Sequence, residues 1–264
     1  MALDMGVPNA ARVYDFFLGG KDNFAADREL AQKILAILPD TADVCQGNRE
    51  FMQRAVRFLA GEAGIRQFLD IGAGLPTMGN VHEPAQEVAP GARVAYVDYD
   101  PVVLSHARAL LANDRDVIAV EGDLRAPEAI LADPALAQLI DFSQPVAVLL
   151  VAILHFVLDA DRPQEAVRAL VSALPPGSYL VLTHSTPDDV SDDVTEAMKS
   201  VYSNASAQVA PRSFDEIAAF FDGLELVDPG LVNVALWRPD LPPHRPSRPP
   251  ARSLIYGGVG MKAR

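Results

Sequence analysis

Apolar and polar positions follow two different periods in this chain, and the change between them divides it. Between Ala25 and Leu38 the apolar residues Leu30, Ile34, Leu35, Ile37 and Leu38 recur at helical spacing, and Pro39 ends the run. A following helix, capped by Thr41 or Asp43, carries Phe51, Val56, Phe58 and Leu59 and closes near Gly61. A shorter helix over about Ala10 to Leu18 precedes both, with a turn at Gly19-Gly20. From residue 65 the pattern becomes strand, helix, strand, helix. Ile65 to Ile71, Arg93 to Val97, Val117 to Val120, Val146 to Leu154 and Tyr179 to Thr183 read as strands. The fourth is apolar throughout, as a strand covered on both faces should be.

Helices are expected between these strands: Thr77 to Val88, broken or kinked at Pro84, Val102 to Leu111, Pro127 to Leu139, interrupted at Pro134, and Gln164 to Leu174. Val190 to Gln208 reads as a helix with one polar face. Ser213 opens another, Phe214 to Phe221, with Glu216 at the capping-box position. Strand-like runs between Leu224 and Leu236 are split by Pro229-Gly230, and Ser253 to Met261 forms a last strand. Pro239 to Pro250, PDLPPHRPSRPP, reads as an extended surface loop. The fold expected is α/β: a doubly wound, seven-stranded, mostly parallel sheet with helices on both faces and one antiparallel strand at the far end. Residues 1–62 form a helical extension ahead of a sheet domain spanning 63–264.

Charge and composition narrow the partners. The net charge is −13, which disfavours a nucleic-acid backbone or an anionic membrane surface. The single cysteine, Cys45, provides neither a disulfide framework nor a cysteine metal site, and a reduced, cytoplasmic compartment fits. MALDMGVPNA lacks a basic segment followed by an apolar core, so no secretory signal is expected. Val146 to Leu154 is about half the ~20 residues that a membrane span requires.

The chemistry gathers around FLDIGAG, Phe68 to Gly74, where an apolar run feeds a glycine-rich turn. In an open α/β sheet, ligands bind beyond the carboxyl ends of the strands. Three acidic residues, Asp70, Asp98 and Asp123, each follow an apolar run and so share that edge. One aspartate there is often only a turn or a cap. Three at consecutive strand ends, one beside Gly72 and Gly74, point to a ligand. Asp98 follows Gly74 by 24 residues, a spacing that suits a carboxylate reaching ribose hydroxyls.

FLDIGAG, VAYVDYDP and VEGDL together resemble the successive motifs of class I S-adenosylmethionine-dependent methyltransferases. That resemblance implies S-adenosyl-L-methionine as cofactor. Gly72 and Gly74 would pass under its methionine part with Asp70 nearby, and Asp98 would hold the ribose. Asp123 would accept from the adenine amino group beside the Leu124 backbone, with Tyr99 against the ring. The fourth strand would supply Val151, Ala152 and His155 near the sulfonium centre. ARVYDFFLGGKDNFAADRELA with NREFMQRAVRFL is similar to an actinobacterial S-adenosyl methyltransferase family formerly known only as a domain of unknown function. In that family the N-terminal motif would cap the cofactor, which gives Tyr14, Lys21, Asn23 and Arg49 a place in the site.

Several residues carry a plain reading beside the chemical one. Arg49 sits either on a solvated face or against a carboxylate in the site. His155 is either structural or a general base acting on the acceptor. His184 reads as structural, and His82, His106 and His244 lack metal-ligand spacing. The run Asp188, Asp189, Asp192 and Asp193 reads as a solvated helix start. Thr77 stands where a dinucleotide fingerprint has its third glycine, which disfavours a nicotinamide oxidoreductase. No tetrapeptide of the amino-methylating type follows the fourth strand. The expected function is methyl transfer to a small-molecule acceptor; the alternative is a sensor or partner subunit that binds the cofactor without turnover.

Overall fold

The computed structural model describes residues 5–76, 79–111, 114–203, 205–242 and 252–263. Three helices come first: α1 (Ala10–Phe17), α2 (Ala25–Ile37) and α3 (Thr41–Gly61). Asn9 starts α1 by accepting from the backbone N–H groups of Ala11 and Arg12. Asp27, buried in the first turn of α2, accepts from the N–H groups of Asn9 and Phe24 and from Arg12 Nε, each at 2.8 Å. Asp15 accepts from the Asp22 N–H and the Asn23 side chain. Gly20 lies so close to that carboxylate that a Cβ would collide with it. The interleaved charges and glycines of this segment are therefore internal bracing.

The rest alternates: β1 (Gln67–Ile71), α4 (His82–Val88), β2 (Arg93–Asp98), α5 (Pro101–Leu111), β3 (Val117–Glu121), α6 (Pro127–Leu131), α7 (Pro134–Leu139), β4 (Ala147–Val151), α8 (Pro163–Ala173) and β5 (Tyr179–Ser185). After these come α9 (Asp192–Tyr202), α10 (Phe214–Ala218), β6 (Glu225–Leu226), β7 (Val232–Asn233) and β8 (Ile255–Met261). The sheet runs β3-β2-β1-β4-β5-β8-β6, with the first five strands parallel and β8 antiparallel to β5. Both β6 and β7 pair with β8. One edge of β8 is taken by β5 along its length, so the two short strands share the other edge, and eight strands fill seven positions.

Alternation along the strands sorts the core into two layers. Phe68, Val94, Tyr96, Leu149 and Val181 face α3 and α4, together with the fully buried Trp237. Leu69, Ile71, Ala95, Val97, Leu150 and Leu182 face the opposite layer with Val167 and Leu170 of α8. A third cluster, Val13, Phe17, Leu30, Ile34, Cys45 and Tyr202, joins α1, α2 and α9 off the sheet. The 21 residues of α3 extend about 31 Å at 1.5 Å per residue. Its first half gives Cys45 to the third cluster and its second half gives Phe51 to Ala60 to the first.

Boundaries differ from expectation where tertiary contacts intervene. The helix expected from Thr77 begins at His82, and Pro84 falls in its first turn, where no N–H donor is needed. The fourth strand stops at Val151 because Ala152 takes a left-handed φ of 56° and the chain enters a 3₁₀ turn, Leu154–Phe156. The helix expected to reach Gln208 ends at Tyr202. Beyond it the Ser206 and Ala210 N–H groups donate to the carbonyls of Pro8 and His155. Thr77, His244 and residues 243–250 of the proline-rich loop lie outside the described residues. Among the described residues no helix is long and apolar enough to cross a membrane.

Candidate functional site

The loop after β1 is pinned to β2. The N–H groups of Gly72 and Ala73 both donate to the Val97 carbonyl, at 2.8 and 3.2 Å. Gly72 and Gly74 hold φ of 75° and 66°, conformations that favour glycine. A Cβ on Gly72 would stand 2.5 Å from Ile153, so the turn after β4 closes directly on the loop. The Gly74 N–H donates to Asp98 Oδ2 at 2.9 Å, and the Asp100 N–H to Asp98 Oδ1 at 2.9 Å. Burial pushes the Asp98 carboxyl above the usual carboxylate range, and these backbone donors oppose the shift.

A cavity of about 460 Å³ opens along the carboxyl edge of the sheet. Tyr14, Arg49, Asp70, Gly72, Gly74, Asp98, Tyr99, Asp123, Leu124, Val151, Ala152 and His155 all line it. Two expected residues do not. Lys21 is exposed on the surface turn, and Asn23 is turned inward to Asp15, which ties down the loop instead of facing the cavity. Asn23 acts at one remove, donating to the Asp15 carboxylate and the Gly20 carbonyl.

Strand parity explains the placement of Asp70. It points to the same face as Phe68 and Tyr96, and so meets Arg49 from α3. Burial raises its pKa to about 7; Arg49 pulls the other way, and the Asp98 charge adds to the rise. Arg49 also lies 6.0 Å from the centre of the Tyr14 ring. Tyr14 is locked to α3: its hydroxyl donates to the Cys45 carbonyl at 3.0 Å and accepts from Asn48 Nδ2 at 2.9 Å. At the other end, the Asp123 carboxylate is gripped by the Arg125 guanidinium, whose Nε lies 2.9 Å from Oδ1, and its pKa is lowered.

His155 sits in the turn after β4, buried against Phe156 and His184. Burial first, then His184 and Arg212, hold its pKa well below the usual value, so the ring is neutral. Its Nδ1 is buried and has no hydrogen-bond partner among the described residues. His184 is structural: Nδ1 lies 2.7 Å from the Ser185 carbonyl and Nε2 lies 2.8 Å from Arg212 Nη1, which donates to it.

Two contributors escape a reading of the sequence alone. Asn9 donates from Nδ2 to Asp100 Oδ2 at 2.8 Å and so binds α1 to the segment after β2. Its position ahead of a helical run is a capping signal, but nothing local names Asp100 as its partner. Arg212, 3% exposed, donates to the carbonyls of Leu154 and Val157, to His184 and to Asp159. It fixes the turn that carries His155, over separations that leave no periodic trace.

A profile of the family described as S-adenosyl methyltransferase matches residues 1–263. No curated protein matches the chain. Among solved structures, a Thermobifida fusca YX protein provisionally assigned as a methyltransferase is 44% identical, with a TM-score of 0.91, over 99% of this chain and 97% of that one. A DUF574 family protein from Streptomyces avermitilis MA-4680 is 41% identical, with a TM-score of 0.91, over 98% of this chain and 99% of that one. An O-methyltransferase family protein from Burkholderia thailandensis, 16% identical with a TM-score of 0.51 over 90% of this chain and 60% of that one, shares the fold alone. The chain belongs to the S-adenosyl methyltransferase family, and it is an S-adenosylmethionine-dependent methyltransferase.

Proposed function

We propose that the chain methylates a small-molecule acceptor, with the donor lying along the carboxyl ends of β3, β2 and β1. One observation carries this reading. Asp98 is 8% exposed, lines the cavity and is bonded through both oxygens to backbone N–H groups that fix its orientation. A carboxylate oxygen accepts more than one hydrogen bond, so Asp98 can still take two adjacent ribose hydroxyls. The group fits the residues present. Asp70 and Arg49 offer a carboxylate and a guanidinium for an amino-acid tail, and Gly72 leaves no side chain in its path. Leu124 and the half-exposed Tyr99 offer apolar surface for a base, with Asp123 beside them.

When bound, S-adenosylmethionine supplies an electrophilic methyl carbon on a sulfonium. The chain's own work is alignment and exclusion of water, which can account for much of the acceleration of an in-line displacement. Val151, the last residue of β4, and Ala152 just after it would border that centre. His155, neutral and lining the cavity, is the candidate catalytic group. Its low basicity suits accepting a hydrogen bond from the acceptor and steering a lone pair, with the released proton passing to solvent. Tyr14 closes the site from α1, while Asn23 braces that helix through Asp15 from outside the cavity. Residues 1–62 then act as a helical cap on the sheet domain of 63–264, in a reducing cytoplasm that keeps Cys45 a thiol.

Calorimetry with S-adenosylhomocysteine tests the reading. Asp98→Ala should weaken binding at least about tenfold, the worth of hydrogen bonds to a charged group. Unchanged affinity would sink the assignment of Asp98, and a folded protein that binds no S-adenosylhomocysteine would sink the donor site.

A further inference from the structure

The cavity has two chemically different ends. Strands pack about 4.8 Å apart, so the four intervals from β3 to β5 carry the cavity across about 19 Å of sheet edge. Charged side chains gather at the end beyond β1, β2 and β3: Asp70, Asp98, Asp100, Asp123 and Arg125. Beyond β4 and β5 the lining changes. Everything that α2, α9, the Ser185–Val190 segment and the 206–211 segment contribute is uncharged, as are Leu254 and Ile255. Ile34, Leu38, Val44, Val194, Met198 and Tyr202 form most of this second end, together with Thr41 and Thr195.

Among the described residues, the remaining charged lining is Asp161, which follows β4 but lies close enough to Arg125 to belong with the charged end, and Asp15 and Arg49, which border the second end from the α1–α3 wall. Asp15 is 2% exposed, and its carboxylate accepts from Asp22 N and Asn23 Nδ2, so it is already satisfied. Arg49 lies beside Asp70, at the junction with the charged end. A charged ligand group carried into the second end would lose its hydration with no fixed counter-charge to replace it. Apolar surface placed there is stabilised in proportion to the area removed from water.

We propose that this second end holds the methyl acceptor, and that the acceptor is an uncharged, largely apolar small molecule. This rests on the donor occupying the glycine-loop end, which leaves the region beyond β4 and β5 for the other substrate. The helices α2 and α9 set the specificity, while the sheet edge holds the donor.

The test uses three probes of similar shape: 2-naphthol, neutral at pH 7, the anion 2-naphthoate and the cation 2-naphthylmethylammonium. Each is titrated by calorimetry into the full chain saturated with S-adenosylhomocysteine. The neutral probe should bind at least about tenfold more tightly than either ion, a difference of about 1.4 kcal/mol. Met198→Glu and Val194→Asp, both at half-buried positions, should each weaken 2-naphthol at least about tenfold. Their affinity for S-adenosylhomocysteine should stay at the parent level. An ion that binds as tightly as 2-naphthol, failure of all three probes, or variants that bind 2-naphthol normally would each overturn the proposal. Loss of S-adenosylhomocysteine binding in the parent chain is a separate result, and it counts against the donor site.

Discussion

The Asn9 side chain donates to the Asp100 carboxylate at 2.8 Å, joining residues 91 positions apart. One partner caps α1 and the other follows the strand that carries Asp98, so a single bond fastens the helical wall of the cavity to its nucleoside end. Asn9→Ser keeps a capping hydroxyl but is too short to reach Asp100. We predict that it leaves the helix content intact and weakens S-adenosylhomocysteine binding roughly 5- to 30-fold, the range of about 1–2 kcal/mol. Titration calorimetry with circular dichroism checks this, and parent-like affinity would show that the bond plays no part in holding the site.

Asp70 should make both stability and binding depend on pH. Its folded pKa is raised to about 7, so its contribution to stability is fully present below the unfolded value near 4 and is lost as pH rises through 7. The ligand-free protein is thus destabilised at pH 8 by on the order of 4 kcal/mol through this group. Asp70→Asn should raise the Tm of the ligand-free protein clearly at pH 8 and hardly at all near pH 4. Donor binding runs the opposite way: the ionised carboxylate attracts an ammonium, so affinity in the parent should rise as pH passes 7. A flat profile in the parent would remove Asp70 from the binding account.

Gly72→Ala meets two obstacles at once. The new Cβ would stand 2.5 Å from Ile153, and the φ of 75° is costly for alanine. A loss of roughly 2–5 kcal/mol in urea unfolding is expected. Adding Ile153→Ala should recover only the packing share, since the backbone strain persists. Full recovery in the double variant would mean that the left-handed φ is not what requires glycine here.

Arg212→Ala should cost roughly 3–5 kcal/mol, because it strands the buried carbonyls of Leu154 and Val157 and the His184 ring nitrogen. Arg212→Lys should rescue little of this, since an ammonium cannot span the same acceptors. Urea midpoints measure the loss. The His155 turn should loosen with it, and hydrogen exchange at residues 153–159 reports that directly. Parent-like exchange in the lysine variant would assign the turn's rigidity to other contacts.

The sheet is legible in the sequence because each parallel strand is a short apolar run ended by acidic or small residues. Asp70, Asp98 and Asp123 are visible for the same reason: a carboxylate that breaks an apolar run marks a strand end. The N-terminal motif misleads at Lys21 and Asn23: Lys21 is exposed on the turn, and Asn23 donates to Asp15 of the same segment instead of facing the cavity. Arg212 and Asn9 cannot be read from local pattern, because their partners are fixed only when the chain has folded. Asp123 is intermediate: Arg125 lies two positions away, yet only the structure reveals that it grips the carboxylate.

The position of β8 sets an order of events during synthesis. It follows β6 and β7 in the chain but stands between them and β5. A nascent chain that has emerged only as far as Asn233 holds five parallel strands, an uncovered β5 edge and two later segments with nothing to pair with. Assembly of that side of the sheet is thus an insertion and not an extension, and the ribosome must deliver residues 255–261 before it can begin. Ribosome-stalled chains ending before β8 should be cut by protease across residues 224–236, and protection there should appear only once β8 is free of the exit tunnel.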